Sequence, residues 1–196
     1  MLLMWRYLTD FGDTAMTVPL AVLTTGVLAA TRQQRLALAW GAVILACAGV
    51  TGALKLSFRV CGYPLGASMM SASGHTAMSI AVYGGIAVVV GSTLGPAARA
   101  ALSLGTAVFT LGIAVSRTIA GFHTPLEVVV GFGVGLAALL AAIVAVRRWR
   151  PAELPLGWLL AGALVVFLVF HGTRWPAEQA IGYVSRWLEL LRPLCT

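Results

Sequence analysis

Three short segments of this chain carry polar residues that an apolar sequence should avoid. Lys55 and Arg59 lie in Lys55-Leu56-Ser57-Phe58-Arg59. Ser71-Ala72-Ser73-Gly74-His75 follows, and then Ser116-Arg117 with His123 and Glu127 downstream. Ionisable groups at or near membrane depth are costly, so their default reading is functional. Lys55, Arg59 and Arg117 gathered at one point would repel one another unless an anion sat among them, and arginine suits bidentate contact with phosphate. Gly74 and a helix beginning at His75 offer backbone N–H donors to the same anion, and Ser73 can add a hydroxyl. Two histidines can divide the chemistry at phosphorus: one attacks and the other protonates the leaving oxygen. His123 and Glu127 stand four apart, so the carboxylate can hold the ring in the tautomer that presents its free nitrogen.

The elements that must position these groups follow from composition. The 196 residues are 60% hydrophobic and 10% charged, with a mean hydropathy of +0.94. A soluble domain averages about 25% charged residues, so a water-soluble fold is excluded. A bilayer-crossing helix needs about 20 apolar residues. Six stretches qualify: 14–30, 36–54, 75–94, 99–116, 125–146 and 155–171. Short loops make neighbours antiparallel. The expected fold is an all-α polytopic membrane helical bundle of about six transmembrane helices, in a single domain over residues 1–196.

Parity then tests the site. The end of the second span, the start of the third, the end of the fourth and the start of the fifth all fall on one membrane face, so the three polar segments converge. The opposite face carries Arg32, Arg35, Arg99, Arg147, Arg148 and Arg150 against the single acid Glu153. The site's face carries seven Lys or Arg with five acids. With Lys55, Arg59 and Arg117 assigned to the site, the basic count is six against four, and the positive-inside rule puts the site on the outer face.

Other features have plainer readings. Met1–Asp13 carries Arg6, Asp10 and Asp13 ahead of the first apolar stretch, with no small-residue cleavage site after a short core, so a retained first span is expected. Asp10 and Asp13 read as surface or helix-capping acids. His171 reads as interfacial, and Gly131-Phe132-Gly133-Val134-Gly135 as helix packing. The tail from Ala177 has Ala180, Ile181, Val184, Leu188 and Leu191 on one stripe, the spacing of an interfacial amphipathic helix or of a surface helix packed on the loops. Cys47 reads as core, while Cys61 and Cys195 share the outer face, where a disulfide can tie the tail to the loop beside Lys55. The loop 60–72 is expected to contribute to specificity. The net charge is +7, but no basic run exceeds Arg147-Arg148-Trp149-Arg150, so no nucleic-acid partner is expected.

Ser-Gly-His at 73–75 and Ser-Arg-x5-His at 116–123 resemble the second and third signature motifs of the type-2 phosphatidic acid phosphatase family, which includes glucose-6-phosphatases and vanadium haloperoxidases. The resemblance spans residues 55–127 in order, spacing and membrane placement. It implies that His123 is a nucleophile forming a phosphohistidine and His75 the general acid. Lys55, Arg59, Ser73, Gly74 and Arg117 would bind the phosphoryl oxygens, with no metal and no cofactor. The sequence departs from the family in three places. The first motif is Lys-x6-Arg-Pro there, whereas the seventh residue after Lys55 is Gly62 and the nearby cation is Arg59. Glu127 stands where Asp is usual, and Ala72 replaces a Pro. The resemblance implies a phosphatase acting on a lipid phosphomonoester or pyrophosphate. Undecaprenyl pyrophosphate is favoured over phosphatidylglycerophosphate, phosphatidic acid or a lipid A phosphate. The expected location is a bacterial inner membrane, with the site toward the periplasm or cell exterior and membrane lipids as partners. A lipid phosphotransferase using the same site, or a non-catalytic anionic-lipid binding or transport protein, are the alternatives. Oligomeric state is not legible.

Overall fold

Punctuation at the ends of the apolar stretches sets the helices of the computed structural model, which describes residues 2–62, 71–151, 153–188 and 195. Helix α1 covers Leu2–Asp10, and Asp13 then caps α2, Thr14–Ala30, by accepting the Ala15 N–H at 2.8 Å. Helix α3 runs Gln34–Cys61, and α4 runs Gly74–Gly91 with a π-helical turn over Ile80–Gly84. Pro96 and Pro125 occupy first-turn positions of α5, Pro96–Ile119, and α6, Pro125–Arg148, where a missing N–H costs nothing. Helices α7, Leu156–Phe170, and α8, Ala177–Leu188, complete the described elements.

Among the described residues, five helical stretches are long and apolar enough to cross a membrane: Leu3–Ala30, Gln34–Cys61, Gly74–Gly91, Pro96–Ile119 and Pro125–Arg148. The sixth predicted span is the shorter apolar helix α7. Helix α1 is absent from the sequence reading because its polar residues interrupt the hydropathy pattern. Helix α3 extends past the predicted 36–54, so Lys55 and Arg59 sit on one continuous helix.

In the most apolar 18-residue stretch of each span, 67% of the residues are buried for Gly74–Gly91, against 17% for Pro96–Ile119 and 22% for Pro125–Arg148, so α4 is the central one of these spans. Trp40 of α3 packs on Gly85 of α4, and its indole N–H reaches the Ala21 carbonyl at 3.1 Å. The outward faces are apolar. Leu104, Val108, Leu111 and Val115 recur along α5, and Val129, Leu136, Leu140 and Val144 along α6, all exposed. Continuous apolar surface of this kind belongs in lipid. The chain is an integral membrane protein with an all-α bundle.

Helix α8 packs against α3, with Gly182 close to the Arg59 guanidinium. The helix packs on the bundle, as one of the two expectations has it, and Tyr183, Val184 and Trp187 remain exposed. Cys61 and Cys195 form a disulfide with their Cα atoms 5.2 Å apart. Cys47 is buried and free. Most of the 60–72 loop, and Leu191 of the tail stripe, lie outside the described residues.

Candidate active site

Helix α5 ends at Ile119, and the chain reverses through Gly121 at φ +72°, a conformation that glycine adopts without the Cβ penalty. The reversal lets the Arg117 carbonyl accept N–H bonds from Phe122 at 3.0 Å and His123 at 3.1 Å. His123 is thereby fixed directly over the end of the helix that carries Arg117. The Arg117 side chain is buried, lies 4.6 Å from the Phe122 ring centroid, and donates from Nη1 to Thr9 Oγ1 at 3.1 Å.

Thr124 caps α6 in a reciprocal capping box with Glu127. Glu127 Oε2 accepts the Thr124 N–H at 2.9 Å and contacts His123 Nδ1 at 2.9 Å. Its Oε1 accepts the Ser71 N–H at 2.6 Å, and its carbonyl accepts the Ser73 N–H at 3.0 Å. A buried carboxylate among N–H donors makes His123 Nδ1 the protonated nitrogen and leaves Nε2 with its lone pair. Burial, reinforced by the Arg117 and Lys55 charges, holds His123 below the ordinary histidine value, against the opposing pull of Glu127.

Gly131 and Gly135 of α6 permit the second motif to lie this close. A Cβ at Gly131 would collide with the Ser73 carbonyl, and one at Gly135 would come within 2.7 Å of the Ala77 carbonyl. Ser73 is fully buried and caps α4: its Oγ accepts the Thr76 N–H at 3.5 Å and lies 3.0 Å from Thr76 Oγ1. Its hydroxyl therefore already serves a helix end. Gly74 lies against Lys55, whose Nζ would be 3.6 Å from a Cβ there, and Lys55 is itself buried.

The structure thus brings His75, Lys55, Gly74, Ser73, Arg117, His123 and Glu127 to one end of the bundle. Arg59 stands one turn beyond Lys55, exposed and beside Gly182. A cavity of about 230 Å³ has Asp13, Lys55, Gly74 and His75 on its wall together with apolar Val18, Ala48, Met78 and Ile181, and Arg59 is not among its lining residues.

Two residues at this end escaped sequence reasoning. Asp13 Oδ2 lies 3.5 Å from His75 Nε2, while Oδ1 accepts from Ala15 and, at 3.4 Å, from the Trp175 N–H. Thr9, buried, is the Arg117 partner. Parity held the signal for Asp13, because the start of the first span lies on the site's face; its capping role was legible and its second oxygen was not.

Fold and site define a helical membrane protein with two histidines and two buried cations, Lys55 and Arg117, at one end of the bundle. The PAP2 superfamily model matches residues 55–151, and the chain belongs to that family. Membership places it among phosphatases acting on phosphate esters. It is also 27% identical over 192 residues, 92% of this chain and 90% of the relative, to the "Uncharacterized 22.5 kDa protein in cps region" of Klebsiella pneumoniae. No solved structure matches.

Proposed function

We propose that the protein removes phosphate from a membrane lipid phosphate or pyrophosphate through a phosphohistidine on His123. The observation that carries this reading is the His123–Glu127 contact at 2.9 Å, which directs Nε2 away from the carboxylate as a nucleophile. His123 Nε2 attacks phosphorus, the bond from phosphorus to the lipid-side oxygen breaks, and His75 gives that oxygen its proton. Water then attacks the phosphohistidine, His75 takes a proton from it, and inorganic phosphate leaves. Lys55, Arg117 and the Gly74 backbone stabilise charge on the phosphoryl oxygens, so the proposed reaction draws its positive charge from the chain and not from a metal. Asp13 is a positioning residue: it holds the His75 ring at Nε2, which leaves Nδ1 for the leaving oxygen.

A lipid substrate is supported by the site's position at the ends of spans and by the cavity wall, which sets apolar Val18, Ala48 and Met78 beside Lys55 and His75. The outer face favoured by the arginine distribution suits the undecaprenyl pyrophosphate carrier. Purified protein in mixed micelles, assayed for phosphate release from undecaprenyl pyrophosphate, phosphatidylglycerophosphate and phosphatidic acid, tests the reading. The His123→Ala variant is expected to release none from any of them. Retained turnover in that variant would overturn the phosphohistidine mechanism.

A further inference from the structure

The end of the bundle remote from the histidines carries a second polar concavity. Arg99 of α5, Arg147 of α6 and Arg150 beyond it line a cavity of about 510 Å³, floored by Gly91 and Ser92 at the end of α4. The guanidinium of Arg99 is pinned at its rim, with Nε donating to the Gly91 carbonyl at 2.7 Å and Nη2 to the Leu94 carbonyl at 3.2 Å. Glu153, the single acid of the three segments on this face, is not among the lining residues.

This cavity does not end in packed protein. Ala87, Val88, Ser103 and Ile143 line it and also line an apolar groove of about 340 Å³ between α4, α5 and α6. The groove continues between α5 and α6 past Leu111, Phe132 and Leu136, of which Leu111 and Leu136 belong to the outward, apolar surface. Helix α4 widens here, because Ile80 and Gly84 of its π-helical turn form part of the groove wall. Three cations above a continuous apolar channel have the layout of a headgroup over a chain.

We propose that this face holds one anionic phospholipid of the adjoining leaflet, its phosphate among Arg99, Arg147 and Arg150 and one acyl chain in the groove. Charge complementarity selects the occupant: a zwitterionic lipid brings its own cation into a position already lined by three, whereas an anionic headgroup relieves their repulsion. The bland explanation for these arginines is the topological bias that puts Lys and Arg on one face. That bias also supplies Arg32, Arg35 and Arg148, which lie on the same face and off the cavity wall, and this difference makes the two explanations separable.

Native mass spectrometry of the full-length protein, titrated with phosphatidylglycerol or phosphatidylcholine of the same chains, measures the preference. The wild type is expected to retain one phosphatidylglycerol with at least about fivefold preference, the scale set by about 1 kcal/mol for each basic residue near an anionic surface. The triple substitution R99Q/R147Q/R150Q should bring the preference to near unity, while R32Q/R35Q/R148Q, which removes the same charge, should keep most of it. Ala107→Trp, which fills the groove, should weaken retention with all arginines present. Phosphate release in phosphatidylcholine micelles should persist in all three variants and reports their folding. Equal loss in the two arginine triples would show bulk attraction to the face and overturn the proposal. So would the absence of any preference, or full displacement of the lipid by millimolar glycerol 3-phosphate, which lacks a chain for the groove.

Discussion

Replacing Asp13 by Asn separates positioning of His75 from capping of α2. Asn caps a helix about as well as Asp, so the bond to the Ala15 N–H survives while the charge facing His75 disappears. When His75 carries the proton that a general acid must hold, unit charges at the observed 3.5 Å separation attract by about 5 kcal/mol at an effective dielectric constant of about 20. Desolvation of the pair and the dipole left by the amide take back much of this. A net loss of about 1.4 to 2.8 kcal/mol remains as the expectation, a turnover about 10- to 100-fold slower.

The assay must show where the loss falls. If Asp13 acts through the proton that His75 delivers, the penalty depends on the leaving group. A lipid phosphomonoester expels an alkoxide and needs that proton, whereas an aryl phosphate such as p-nitrophenyl phosphate expels a stable anion and hardly does. The expected result is the full loss on the lipid and about threefold or less on the aryl ester. In a His75→Ala background the same substitution should cost nothing further, since coupled residues are not additive. Equal losses on both substrates, or full additivity with His75→Ala, would refute the positioning role and leave Asp13 as a helix cap alone.

Glu127→Gln should lower kcat about 10²- to 10⁴-fold, the range associated with a misoriented catalytic histidine. One amide oxygen cannot replace two carboxylate oxygens that accept from Ser71 and Thr124 while holding His123, so its NH₂ must face a donor; phosphate release that stays within threefold of wild type would contradict the orientation argument. The pH dependence has a definite sign. His123 is held below 6.5, chiefly by burial, so its neutral, nucleophilic form persists into mildly acidic solution and the acid limb of kcat/KM is expected below pH 6.5. The same displacement makes its contribution to stability complete above pH 6.5 and lost as the pH falls toward the folded-state value. A melting temperature that falls with acidification, and loses part of that slope in His123→Ala, would match; an acid limb above pH 6.5 would not.

Residue type and membrane parity made most of the site legible. His75, Arg117, His123 and Lys55 sit at the ends of helices whose direction follows from counting spans, so their convergence needed no coordinates. What parity does not give is rotation about each helix axis. Lys55 turns inward and is buried while Arg59, one turn on, meets Gly182 of α8. The i,i+4 rule made them neighbours and could not rank them by depth. The Thr9–Arg117 contact joins residues 108 apart in the chain, and no local pattern encodes it. The cysteine pair was legible as a possibility from its shared face, and only the packing of the tail brought the two Cα atoms within bridging distance.

The substitution of Glu for the family's usual Asp has a local physical reason. Position 127 is the third residue of α6, where a glutamate closes a capping box with Thr124 at the helix start. The longer side chain gathers three N–H donors, from Thr124, His123 and Ser71, and its main chain takes a fourth from Ser73. The three bonds to the carboxylate, being charge-assisted, contribute about 1.5 to 3 kcal/mol each. One residue therefore links the start of α6, the ring of the proposed nucleophile and the strand of chain that opens α4. Because α4 begins at Gly74 and carries His75 one residue later, the spacing of the two histidines is set through Glu127 and not by the membrane alone. Gly131, one turn along the same helix, removes the Cβ that would keep the Ser73 peptide away. An aspartate at 127 would shorten the reach by one methylene; it could still face His123 but would have to release Ser71. The extra methylene thus couples the orientation of the nucleophile to the position of the general acid.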